Sequence, residues 1–167
     1  MRRGLIGAAA LLAGLAAVGA LLGTGRADAE RQRDLVVGLQ VVEHGKAVLA
    51  LVPVTINGKG PFTFALDTGA SQSLIDLQAA RRLGVPKVGS AGKIAGVTGV
   101  KRAALVQVTR WRVGQIKLPP TTMVRTNMPG GNAYAGLQGL LGSDMLSRFD
   151  VVTIDYAHEQ LRLRPRK

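Results

Sequence analysis

Val52, Val54 and Ile56 alternate with Pro53 and Thr55, the pattern stops at Asn57-Gly58, and Phe62, Phe64 and Leu66 then alternate with Thr63 and Ala65. An apolar period of two on either side of Asn-Gly predicts an antiparallel hairpin with one buried face, because that dipeptide suits the tight turn between paired strands. Gly60-Pro61 reinforces the turn. A helix would scatter these side chains around its circumference, so the pattern excludes one here. The returning strand ends abruptly on Asp67-Thr68-Gly69. A carboxylate therefore stands at a strand end, where the chain must turn.

The remainder of the chain follows the same grammar of short β-rich runs punctuated by turn residues. Leu35–Val42 and Ala47–Ile56 flank Glu43-His44-Gly45 as a further hairpin. Asp76–Leu83 reads as a short helix closed by Gly84 and Pro86. Strands are expected over Ala103–Val113, Gln115–Leu118 and Thr122–Thr126, with Pro129-Gly130-Gly131-Asn132 as a loop. Ser143–Arg148 is expected to form one or two helical turns capped by Ser143 or Asp144. Val151–Tyr156 and Gln160–Arg164 form a terminal hairpin with Leu161 and Leu163 inward and Arg162 and Arg164 outward. The reading is an all-β fold with one or two short helices, in a single domain over residues 34–165.

A chain of 167 residues accommodates one modest core. Its formal net charge is +12, and the excess persists without residues 1–29, which hold Arg2, Arg3 and Arg26 against Asp28. Such an excess attracts anionic surfaces. Only three Phe, two Tyr and one Trp are present, too few to build the stacking platforms of single-strand nucleic-acid binders, so no nucleic-acid partner is expected. With no cysteine, disulfides and thiolate chemistry are excluded. His44 and His158 lie far apart and no metal-ligand spacing occurs, so neither a metal nor another cofactor is expected.

The first residues have the layout of an export signal. Met1-Arg2-Arg3 is positive, Leu5 to Leu22 carries no charge, and Ala27-Asp28-Ala29 offers small residues where a signal peptidase cuts. The apolar stretch also approaches the roughly 20 residues that span a bilayer. Residues 1–29 are thus expected to be a cleaved signal peptide or a single membrane anchor running through residues 4–25. Either reading sends the domain to the periplasm or cell envelope.

Asp-Thr-Gly by itself is ordinary chemistry for a turn that closes a strand. Its setting adds to it: the apolar hairpin before, Ala70-Ser71 after, and Gly139-Leu140-Leu141-Gly142-Ser143-Asp144-Met145-Leu146 downstream. From about Val41 to Leu163 the chain resembles the retropepsin-type, single-lobe aspartic proteases of retroviruses and their bacterial relatives. Val54-Thr55-Ile56-Asn57-Gly58 and Phe64 to Ser71 match that family's first hairpin and catalytic loop. Leu140, Leu141 and Gly142 match its hydrophobic-hydrophobic-glycine motif.

The resemblance implies a closed barrel and an exported aspartic endopeptidase that cleaves peptides or proteins as a homodimer. Asp67 is then the catalytic residue, and Asp67 of two chains forms the pair, because this chain carries a single copy of the motif. Two facing carboxylates that share one proton supply both the general base and the general acid of peptide hydrolysis. In the family the residue at Thr68 braces the two loops and that at Gly69 permits the tight turn; Ala70 and Ser71 complete the loop. Gly96, Val97, Thr98 and Gly99 lie where the family places its flap. Retroviral members have an acidic residue at the position of Ser71 and an arginine at that of Ser143, so their ionic brace is absent here. The alternative is a non-catalytic module of the same fold that binds a peptide or partner in the groove.

Overall fold

The computed structural model describes residues 34–44, 47–96, 99–128 and 136–166. The chain divides into two compact units after Arg33, and the first, with the expected signal peptide or anchor, lies outside the described residues. Among the described residues no helix is long and apolar enough to cross a membrane.

The hairpin read from the alternation is present. Strand β3 (Ala47–Ile56) pairs antiparallel with β4 (Lys59–Leu66), and Ile56 faces Lys59 across Asn57-Gly58. Both turn residues have positive φ, 53° and 75°, the backbone that matches strand twist in a two-residue turn. Val52, Val54, Ile56 and Phe64 are buried to within 1% and form the centre of the core.

The preceding segment departs from expectation. Leu35–Val42 is not one strand: β1 (Leu35–Gly38) and β2 (Gln40–His44) join different sheets. β2 pairs with β3, whereas β1 pairs antiparallel with the last strand, β13 (Gln160–Pro165). Val37 and Leu39 are both buried and straddle the crossing, and the Leu39 N–H donates to Glu159 O at 2.9 Å. The alternation therefore continues while the hydrogen-bonding partner changes. β12 (Phe149–Asp155) completes this three-stranded sheet on the far side of β13. Leu161 and Leu163 point into the core as expected, and Arg164 reaches Asp34 at 2.9 Å on the outside. At the hairpin turn a hydrogen bond from His158 holds the Asp155 carboxyl below its usual range.

The larger sheet runs through β5 (Leu74–Asp76), β6 (Lys87–Gly96), β7 (Gly99–Val108), β8 (Trp111–Val113), β9 (Ile116–Leu118), β10 (Thr121–Thr126) and β11 (Leu137–Leu141). Its order is β6-β7-β10-β5-β11-β4-β3-β8-β9, with β2 attached to β3. The resemblance implies a closed barrel, but among the described residues this path is open. Its ends are the outer strands of two hairpins, β6–β7 and β8–β9, each paired on one side. The single strand expected over Ala103–Val113 is likewise two strands, broken at Thr109-Arg110, where Arg110 O accepts the Asn57 N–H at 2.8 Å.

Helix α1 (Leu77–Leu83) follows β5 directly, and Asp76 caps it. Asp76 Oδ1 accepts from the N–H groups of Gln78 and Ala79, and Oδ2 accepts from Met128 N at 3.3 Å. Gly84 ends the helix in the left-handed region (φ 64°), as its position in the sequence predicts. The inward face is Ala79, Ala80 and Leu83. Asp76→Ala is expected to destabilise the domain by about 1–2 kcal/mol in denaturant unfolding. Asp76→Asn, which keeps the acceptor, should lose less than half of that.

Candidate active site

The position of Asp67 follows from one pairing. β4 and β11 run parallel in register Ala65↔Leu140 and Leu66↔Leu141, so their C-terminal ends lie side by side. Asp67-Thr68-Gly69 continues directly from β4, while Gly142 and the short helix α2 (Ser143–Leu146) continue directly from β11. The two sequence motifs are thereby brought together. The Asp67 N–H donates to Leu141 O at 3.1 Å and carries the ladder one residue past the strand end.

Beyond that point the loop folds back on the carboxylate. Asp67 Oδ1 accepts from Gly69 N at 3.0 Å and Ala70 N at 3.1 Å, and the Ala70 N–H also lies 3.2 Å from Asp67 O. One carboxylate oxygen is thus fixed by backbone donors and the half-buried side chain is held in a single orientation. Gly69 is the residue that permits this approach, since a Cβ there would stand 3.3 Å from Asp67 Oδ1. Thr68 and Ser71 are exposed on the loop, while Ala70 is half-buried.

The loop is clamped from below by residues of the downstream motif and by Ser73, which the sequence patterns did not single out. Ser73 is fully buried; its Oγ donates to Asp144 Oδ1 at 2.7 Å and accepts from Gly142 N at 3.0 Å. Ser143 donates to Ala70 O twice, through its N–H at 2.8 Å and its Oγ at 2.9 Å. Ser143 and Asp144 were expected to cap α2; instead the N-cap is Gly142, with no side-chain cap, because both side chains are engaged with the loop. The clamp thus consists of two hydroxyls and one carboxylate acting with backbone groups. Ser73 is readable only in retrospect, as a polar residue bordering the Asp67 motif.

Gly142 is held to glycine by space rather than by conformation. Its backbone is extended (φ −91°, ψ 179°), which any residue adopts. A Cβ, however, would lie 2.8 Å from Gln72 C and 2.9 Å from both Ala70 O and Gln72 O. The backbone of the Asp67 loop rests directly on this Cα. Leu141 is buried beside it and Leu140 is half-buried, pairing with Leu74 of β5.

The expected flap is a hairpin. β6 and β7 pair antiparallel to Gly96↔Gly99 at the tip, while Val97 and Thr98 lie outside the described residues. The sheet order sets β10, β5 and β11 between this hairpin and β4.

Comparison with known proteins agrees with this geometry. Among solved structures, the chain is similar to a retropepsin-like aspartic protease from Rickettsia conorii, at 18% identity and a TM-score of 0.52, covering 79% of this chain and 94% of that one. It is also similar to the retroviral protease-like domain of Ddi1 from Leishmania major, at 21% identity and a TM-score of 0.49, covering 72% and 94%. A third similar structure is the EIAV protease complexed with the inhibitor HBY-793, at 24% identity and a TM-score of 0.45, covering 64% and 92%. The likeness to the Rickettsia protein shows the retropepsin-like fold. No curated protein sequence matches the chain. A family model described as aspartyl protease matches residues 52–145. That stretch begins in β3 and ends in α2, so it holds the Asp67 loop together with the glycine that supports it, and over this majority of its length the chain belongs to the aspartyl protease family.

Proposed function

We propose that the protein is an exported aspartic endopeptidase whose active site forms when Asp67 of one copy meets Asp67 of a second. The observation that carries this reading is the Asp67 loop itself. Backbone donors hold one carboxylate oxygen, Ser73, Ser143 and Gly142 clamp the loop, and the chain supplies one such loop where hydrolysis needs two carboxyl groups.

In the assembled pair one proton is shared between the two carboxyl groups. The ionised one removes a proton from the attacking water while the protonated one donates to the scissile carbonyl oxygen, giving a tetrahedral diol. The proton taken from water then passes to the amide nitrogen, the C–N bond breaks, and the other carboxylate takes back a proton from a diol hydroxyl as the carboxylic acid product forms, so the dyad returns to its starting state. The β6–β7 hairpin, with Gly96 and Gly99 at its described tip, is proposed to close over the bound peptide and exclude water. Export to the periplasm or cell envelope rests on the signal-like layout of residues 1–29.

Mixing wild type with Asp67→Asn and allowing the chains to exchange tests the shared site. At equal amounts, about a quarter of randomly formed dimers hold two Asp67 side chains, so activity per wild-type chain should fall to roughly half. Peptide-library hydrolysis by wild type alone should also fall more steeply than concentration on dilution. Activity per wild-type chain that is unchanged by mixing would assign the chemistry to a single chain.

A further inference from the structure

At the other end of β4 from Asp67, roughly 25 Å away along the extended strand, the β8–β9 hairpin and the Asn57-Gly58 turn border a half-open cavity of about 410 Å3. Arg110, Arg112 and Lys117 line it, together with Thr55, Thr109 and Trp111. Arg110 and Arg112 lie in one run of the sequence and Lys117 in the next; the hairpin gathers them. Arg112 and Lys117 are direct cross-strand partners, and Arg112 also faces Thr55 on β3. Trp111, Val113 and Leu118 point into the core, which turns Arg112 and Lys117 outward on the same face.

Like charges placed directly opposite each other on a sheet destabilise it. Nothing in the surroundings offsets this pair. No acidic residue lines the cavity. Among the described residues, every ion pair uses Asp34, Asp150 or Asp155, and the side chains of Arg110, Arg112 and Lys117 donate no hydrogen bond to another group. The floor is rigid, since Trp111 is 2% exposed and its indole N–H donates to Pro119 O at 2.8 Å. Two guanidinium forks and an ammonium group, which only donate, and two hydroxyls border a cavity that holds no carboxylate.

We propose that this cavity binds a phosphate group. Three cations exceed what a single carboxylate can neutralise, whereas a phosphate monoester carries a charge of about −1.5 to −2 and three strong acceptor oxygens. Guanidinium groups pair with such oxygens in a bidentate manner. The phosphate comes either from a soluble phosphorylated compound or from a lipid whose headgroup is a phosphate monoester, and both present the same chemistry to the site.

Trp111 is the only tryptophan of the chain, so its fluorescence reports on the cavity without a label. Titration of the protein with inorganic phosphate at constant ionic strength is expected to give a saturable fluorescence change and a rise in melting temperature. The double variant Arg112→Gln/Lys117→Gln should bind at least about tenfold more weakly, losing a charge-assisted contact from each position. It should melt no lower than wild type without phosphate, because the cross-strand repulsion is gone. Arg81→Gln/Arg82→Gln, a basic pair in the last turn of α1 that does not line the cavity, should bind phosphate as wild type does. Phosphatidic acid vesicles that compete for the site, while phosphatidylcholine vesicles do not, assign the phosphate to a lipid; failure of both to compete while inorganic phosphate saturates assigns it to a soluble compound. The absence of saturable binding, or equal weakening by the two double variants, would overturn the proposal in favour of general charge attraction.

Discussion

Replacing Asp67 by asparagine is expected to reduce peptide hydrolysis by at least about 10^4-fold while leaving the fold in place. In the proposed dimer one substitution changes both members of the dyad, so the general base and the general acid are lost together. Asparagine keeps an oxygen where Oδ1 accepts from Gly69 N and Ala70 N, so the loop retains its geometry. The charge leaves, and with it the repulsion between two facing carboxylates, so self-association should be at least as strong as in wild type. The measurements are turnover of a peptide library, thermal unfolding and sedimentation. A variant that folds, associates and still cleaves within tenfold of wild type would remove Asp67 from the chemistry and refute the proposed mechanism.

Gly142→Ala should damage the same site from the opposite side. One methyl group would meet three backbone atoms of residues 70–72 at 2.8–2.9 Å, and none of them belongs to a side chain that can rotate away. Overpacking of this kind costs about 1–3 kcal/mol, and more where backbone must move. The shift would fall on the segment that positions Asp67, and displacing a catalytic group by about 1 Å reduces turnover on the order of 10^2-fold. Both losses should appear, one in denaturant unfolding and one in kcat. Gly139 offers a contrast: a Cβ there would strike the Phe64 ring and stand 2.7 Å from Leu74 O, in the core rather than at the loop. Its alanine variant should lose stability first. Unchanged stability and turnover in Gly142→Ala would mean that the loop does not rest on this residue.

Much of the site was legible before the fold was known, though unevenly. Asp67 stood out because it ends an alternating strand, and Leu140-Leu141-Gly142 because it matches the hydrophobic-hydrophobic-glycine motif of the family that the chain resembles. Ser73 did not stand out. A serine two residues after an exposed one looks like loop solvent until its burial and its partner, 71 residues away, are known. Ser143 and Asp144 were visible but assigned to the wrong task, since a hydroxyl and a carboxylate at a helix start ordinarily cap it. Here tertiary contacts with Ala70 and Ser73 outcompeted the local ones.

The sequence by itself determined the features whose causes lie within a few residues. These are the β3–β4 hairpin with its Asn57-Gly58 turn, the carboxylate at the end of β4, the stop of α1 at Gly84 and the inward Leu161 and Leu163. Alternation fixes which face is buried, and turn chemistry fixes where the chain reverses. Neither says which strand lies beside which. Only the tertiary structure decided that β11 runs parallel to β4, that β1 leaves the β2–β3 sheet for β13, and that Arg112 and Lys117 share a cavity with Arg110. Parallel neighbours and sheet changes are chosen by packing and register across the whole chain, because the backbone groups of a strand edge pair with any extended partner. The carboxylate at the strand end was written locally; the clamp that holds it was written only in the fold.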